Sequence, residues 1–458
     1  MADMIDYIDW RGDLSFAESE FNDIDNLILA QITMINFKGI VPPPFEEGRI
    51  SLSDAADVFF ADSERAECSL GLIIPPETKE LFRKAAGSRR FGQIKLSGYV
   101  NHVNPETEIQ FSAMTYGIFD DGVFVAFRGT DDTIVGWKED FNLSFLSPIP
   151  AQIEAKRYLD NVAAGFDGGI RVGGHSKGGN LAIYAAVKAE GRTKDKIVRV
   201  YNNDGPGFER EFLSSPEYEE MEDRISVIIP KSSVVGMLFE NRGKISIVES
   251  TESGLLQHNP FSWQVLGNSF ITLDQLAEDG KRISKVINDW SARMDIETRK
   301  RFVDGVYKIL TATEATTLAE LNADKYAIVR ALKETDKETR NMVMSVFRML
   351  FEEGGKLFRD SIVGALTRKS GNKGASADGD QLKTIEAAFR EVEEKGEIPR
   401  LAEKSVPAPK APAVKRSAQP VRVHRHARNN QRFYPEGNGF ITDMAIRTRR
   451  AVKTRTKK

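Results

Sequence analysis

The sequence predicts an α/β layer architecture on a mixed sheet, and three observations carry that reading. Seven apolar runs of strand length, several of them continuous and β-branched, lie between residues 94 and 248. A helix-like segment, Asn180 to Glu190, separates the fourth run from the fifth, as a crossover between parallel strands requires, whereas the first two are joined by a tight antiparallel connection. The 458 residues, 41% apolar and 29% charged, suffice to bury a sizeable core.

In chain order, an amphipathic stretch from Asn22 to Asn36 comes first, with Ile24, Leu27, Ile28 and Met34 near helical spacing behind the capping candidate Asn22. After Gly- and Pro-punctuated loops come the strand candidates Ile94–Val100, Ile109–Tyr116, Val123–Phe127, Ile170–Val172, Ile197–Tyr201, Ile225–Ile229 and Ile245–Val248. From Ile271 to about Thr367 the period turns helical. Leu276, Ile283, Val286, Ile287 and Trp290 form one stripe, and Phe302, Val303, Val306, Ile309 and Leu310 a second. Met342, Val343, Val346, Met349 and Leu350 form a third behind the capping-box pattern Thr335-x-x-Glu338. Ser370 to Asp380 has linker composition, Leu382 to Lys395 reads as a short charged helix, and the remainder is Pro-, Lys- and Arg-rich. The expected organisation is therefore a sheet domain over 1–270, a C-terminal helical extension over 271–369, and a linker, short helix and disordered basic tail over 370–458.

Charge is uneven along the chain. Ala402 to Lys458 holds fifteen Lys and Arg against Glu403, Glu436 and Asp443, a charge of +12 that leaves −15 for residues 1–401 out of the total of −3. Such a tail suits first a solvated linker that also contacts the acidic body, and second a weak anionic partner, nucleic acid or a membrane surface. The single Cys68 excludes an intramolecular disulfide and a multi-cysteine zinc site. With an acidic N-terminus and no run near the ~18 apolar residues of a spanning helix, a cytoplasmic, soluble protein is expected.

The chemistry concentrates in Gly174-His175-Ser176-Lys177-Gly178, at a strand-to-helix boundary. This is the nucleophile-elbow pattern, in which Ser occupies a turn too tight for Cβ atoms at its flanking glycines and is held out at the sheet edge. A serine nucleophile needs a base. Of the five histidines, His175 sits inside the elbow, His424 and His426 lie in the tail, and His102 precedes the core strands, which leaves His258. For the acid, the loop Pro230–Gly236 after Ile225–Ile229 holds no carboxylate, while Asp204 leaves the preceding strand in Asn203-Asp204-Gly205-Pro206; Asp before Gly-Pro is also a good turn former. Asp204 is the choice, Glu240 the fallback and Asp140 a distant third. Oxyanion donors are expected from the backbone N–H of Lys177 and from Thr130, which ends the Phe127-Arg128-Gly129-Thr130 strand exit.

These residues resemble a known group. Val125-Ala126-Phe127-Arg128-Gly129-Thr130, then Trp137 and Asp140, then the elbow, are similar to the class 3 (fungal-type) lipases. The Asp6-Tyr7-Ile8-Asp9-Trp10-Arg11-Gly12-Asp13 opening, Ser-Lys-Gly-Gly-Asn, Asn-Asp-Gly-Pro-Gly and Gln-His-Asn-Pro-Phe-Ser-Trp resemble more closely an uncharacterised bacterial family of lipase-like α/β-hydrolases, over about residues 5–360. The resemblance implies an α/β-hydrolase fold, with Ser176 as nucleophile, Thr130 as oxyanion donor and His258 as base. The chain departs from the lipase pattern at the acid, where Ser232 and Ser233 stand in place of an Asp. The leading expectation is thus a serine esterase, thioesterase or lipase acting on a small-molecule or lipid ester, needing no cofactor or metal. The other is a weak or inactive hydrolase scaffold that binds partners through its helical extension and tail.

Overall fold

The apolar runs pair as their spacing predicts. β1 (Ile50–Ser51), β2 (Lys95–Asn104), β3 (Ile109–Phe119) and β4 (Gly122–Phe127) are antiparallel neighbours. From β4 onward, β5 (Gly169–His175), β6 (Ile197–Asn203), β7 (Ile225–Pro230) and β8 (Lys244–Val248) run parallel. A hairpin of β9 (Val265–Leu266) and β10 (Ser269–Phe270) follows, and β11 (Thr272–Leu273) closes the far edge antiparallel to β8. All seven strand candidates are present. The computed structural model describes residues 2–311 except 72, 120–121, 144–145, 279, 282–284 and 286–294, and beyond them 316, 317, 320, 335–337, 340 and 341. The chain divides into two units, 1–399 and 400–458, and the described residues belong to the first. The third helical stripe, most of the first, the linker, the short helix and the basic tail lie outside the described residues.

Side-chain alternation decides how the sheet is covered. β4 is buried along its whole length; Phe124 and Ala126 enter one apolar cluster while Val123, Val125 and Phe127 enter another. Both faces therefore need a helical layer. One is supplied by α1 (Met4–Arg11), α2 (Asp23–Ile32), α3 (Leu52–Ala61) and α4 (Glu77–Gly87), whose Tyr7, Ile24, Leu27, Leu52 and Leu81 are fully buried. Full burial contributes about 1.5–3 kcal/mol for each of the Ile and Leu side chains among them. A fifth helix, α5 (Ile134–Asn142), follows β4. The opposite face is covered by α6 (Pro150–Ala164) and α7 (Lys177–Lys188). The last described helix, α8 (Ile296–Thr311), buries Phe302 and Val303 and packs on α5, with Lys138 Nζ 4.2 Å from the Tyr307 ring centre. The result is an α/β fold, a mixed sheet between helical layers.

α2 starts where predicted, because Asn22 Oδ1 accepts the N–H groups of Ile24 and Asp25 and the Asp25 carboxylate accepts that of Asn22. It ends earlier than the apolar pattern suggests. Thr33 Oγ1 donates back to Leu29 O, and Met34 N–H bonds Gln31 O, tightening the last turn out of α geometry. Among the described residues no helix is long and apolar enough to cross a membrane.

Candidate active site

β5 and α7 meet at Ser176, whose φ of 58° and ψ of −133° lie outside the ordinary basins for a residue with a Cβ. Such a conformation costs on the order of 1–3 kcal/mol and persists only where its surroundings enforce it. They do so through the flanking glycines. A Cβ at Gly174 would lie 2.5 Å from Phe127 O, and one at Gly178 only 2.1 Å from the same oxygen. Since Phe127 belongs to a central strand that cannot retreat, Gly178→Ala is expected to destabilise the protein by about 3 kcal/mol or more. A urea midpoint equal to the parent's would show that the turn tolerates the methyl group.

His258 ends a 3₁₀ turn, Gly254–His258, beyond β8. Three contacts fix its loop: Ser232 N–H donates to Gln257 Oε1 at 3.0 Å, buried Trp263 Nε1 donates to Gln257 O at 2.8 Å, and His175 Nε2 donates to His258 O at 2.9 Å. The ring then places Nδ1 2.7 Å from Asp204 Oδ2. A carboxylate only accepts, so Nδ1 is the donor in this bond, and in the neutral ring the lone pair is then on Nε2. Asp204 itself is fully buried with φ 52°, and its Oδ1 accepts Ser233 Oγ at 2.5 Å and Gly236 N–H at 3.2 Å. The stretch from Lys231 to Gly236 after β7, which holds no carboxylate, therefore supplies donors to the Asp204 carboxylate from the neighbouring strand. The Ser176 hydroxyl forms no hydrogen bond with the His258 ring among the described contacts. Such contacts are often long before substrate binds.

Thr130 is buried at the exit of β4, beside the elbow: a Cβ on Gly129 would lie 2.7 Å from His175 O and 3.3 Å from Ser176 Cβ. Thr130 Oγ1 donates to Asp140 Oδ2. Burial pushes the Asp140 carboxyl up to about 6, against the opposing pull of the Lys177 ammonium and the Thr130 hydroxyl. Its Oδ1 is wholly buried although 30% of the side chain is exposed. Asp140 thus attends Thr130 rather than His258. Glu240 is exposed and paired with Arg210 at 2.8 Å.

Sequence reasoning missed the supports. Asn26 and Asn203 exchange amide hydrogen bonds of 2.9 and 3.0 Å, Asn203 Nδ2 also donates to Gly174 O, and Asn203 O accepts the Ser176 N–H at 2.9 Å. His175 lies against His258, with ring centres 4.6 Å apart and planes tilted by 31°. Burial, then the neighbouring His258, holds its imidazole well below the ordinary 6.5, while the bond to His258 O pulls the other way. The unfolded chain takes up a proton near pH 6.5 that the folded chain refuses, so this contribution to stability is complete above that pH and is lost as pH falls towards the depressed folded value. The melting temperature should therefore drop between pH 7 and pH 5 more steeply for the parent than for His175→Gln, which keeps a donor for His258 O but cannot titrate. Parallel slopes would remove His175 as the titrating group.

None of the curated proteins compared matches the chain. Among solved structures, a Rhizomucor miehei lipase–propeptide complex aligns at 15% identity over 39% of this chain and 70% of that one, with a TM-score of 0.28. The model of the Mbeg1-like family matches residues 85–308, a span that takes in Thr130, Ser176, Asp204 and His258.

Proposed function

We propose that the protein is a serine hydrolase of the α/β-hydrolase type, cleaving a carboxylic ester or thioester through an acyl-enzyme on Ser176. At the family level, the Mbeg1-like match supports a lipase-like hydrolase. The observation that carries the residue assignment is the 2.7 Å bond between His258 Nδ1 and a fully buried Asp204, beside an elbow serine held at φ 58°. In this reading His258 Nε2 takes the Ser176 proton as Oγ attacks the acyl carbon, and the N–H groups of Thr130 and Lys177 hold the tetrahedral oxyanion. Collapse expels the alcohol or thiol, which receives the proton from His258. Water activated by the same nitrogen then attacks the acyl carbon and frees the acid and Ser176. No step calls for a cofactor.

The alternative is a weak or inactive scaffold, and a buried Asp204 that accepts Ser233 Oγ and lies 2.7 Å from His258 Nδ1 favours the hydrolase reading over it. The test is a fluorophosphonate probe on the full chain, with the labelled peptide mapped, followed by a p-nitrophenyl ester series of increasing chain length. Labelling at Ser176 and turnover of at least one ester are expected. A well-folded protein that does neither would return the weight to the scaffold.

A further inference from the structure

Lys177 follows the elbow serine, and its side chain is 1% exposed. All three ammonium protons are used: Nζ donates to Glu139 Oε2 at 2.8 Å, to Gln110 O at 3.0 Å and to Gln110 Oε1 at 2.5 Å. Glu139, completely buried on α5, also accepts Gln110 N–H at 3.1 Å on Oε2 and Ala151 N–H at 2.9 Å on Oε1. Stability alone does not account for this pair. A buried ion pair is often replaced by apolar side chains without loss, and a cation in the first turn of a helix opposes the helix dipole. Its place in the site does account for it. Residue 177 is one of the two assigned oxyanion donors, and the residue after Glu139 is Asp140, which holds Thr130, the other. Adjacent carboxylates on one helix thus hold both donors. That helix is itself anchored, since Ile134 N–H donates to Thr316 O at 3.0 Å and Lys138 lies 3.4 Å from Asp304 of α8.

We propose that Glu139 and the Lys177 ammonium are a positioning pair that sets the oxyanion hole, tying the residue after the nucleophile to the helix that also holds Thr130. The proposal rests on the hydrolase reading. A donor misplaced by a fraction of an ångström loses transition-state stabilisation without altering ground-state binding, so the signature is in kcat and not in KM.

The experiment compares the full-length parent with Glu139→Asp, which keeps the charges but shortens the reach, and with the double variant Glu139→Gln/Lys177→Met, which removes both charges of the pair and takes from Asp140 a cation 3.7 Å away. On a p-nitrophenyl ester both should lose about 10- to 100-fold in kcat with KM within about twofold. Affinity for a trifluoromethyl ketone, whose hemiketal carries an oxyanion, should fall by the same factor. The double variant should melt near the parent; if it does not fold, Glu139→Asp alone decides the matter. Parental kcat and ketone affinity in a folded variant, or a change confined to KM, would make the pair merely structural. A parent that is neither labelled at Ser176 nor hydrolytic would instead overturn the hydrolase reading, and this proposal with it.

Discussion

Replacing Ser176 by alanine is expected to abolish fluorophosphonate labelling and to lower ester hydrolysis by about 10⁶-fold, the scale seen when a triad nucleophile is removed. The fold should survive unchanged. Alanine carries the same Cβ as serine and so meets the same strain at φ 58°. The bonds that define the turn, Ser176 N–H to Asn203 O and Gly179 N–H to Ser176 O, are both backbone bonds that the substitution leaves in place. A drop in activity with an unchanged melting curve therefore isolates the hydroxyl. Hydrolysis by the alanine protein at the parental rate would refute the assignment, whatever the geometry around it. His258→Ala serves as the companion measurement, because labelling at Ser176 that persists without His258 would deny the histidine its role as base.

Asp204→Asn should cost about 10⁴-fold in kcat while the protein folds normally. The carboxamide is nearly isosteric with the carboxylate, and two donors decide how it sits. Ser233 Oγ and Gly236 N–H both point at the Oδ1 position, so the amide oxygen goes there and the NH₂ takes the place of Oδ2, facing His258 Nδ1. The ring nitrogen must then accept, which moves its proton to Nε2 and leaves no lone pair for the Ser176 proton. Two measurements check this: kcat on the best ester of the chain-length series, and the ring nitrogen shifts of His258, which report the tautomer. An asparagine variant with parental kcat would show that Asp204 orients nothing that matters to the reaction.

The strands and the elbow were legible because they depend on short-range rules. Continuous β-branched runs mark strands buried on both faces, and glycines at 174 and 178 are demanded by backbone collisions within a few residues of the turn and its partner strand. The partner of the His258 ring was legible only as a choice among carboxylates. β6 and β7 are adjacent and parallel, so they end at the same sheet edge and a carboxylate after either can reach one histidine. Which of them meets the ring depends on the path of the loop after β7, where Ser233 and Gly236 close around Asp204. Nothing local to Asp204 encodes that path.

The sequence by itself determined where seven strands lie, the change from antiparallel to parallel pairing, and the serine at the strand-to-helix turn, since pattern and sterics act over short stretches. Tertiary structure alone decided that Asn26 pairs with Asn203, that His175 holds the loop of His258, and that Glu139 neutralises Lys177 in the interior. Those partners are separated by 177, 83 and 38 residues. A buried polar group must find a partner, but it is the packing of the whole sheet, and not the neighbouring sequence, that settles which one lies within reach.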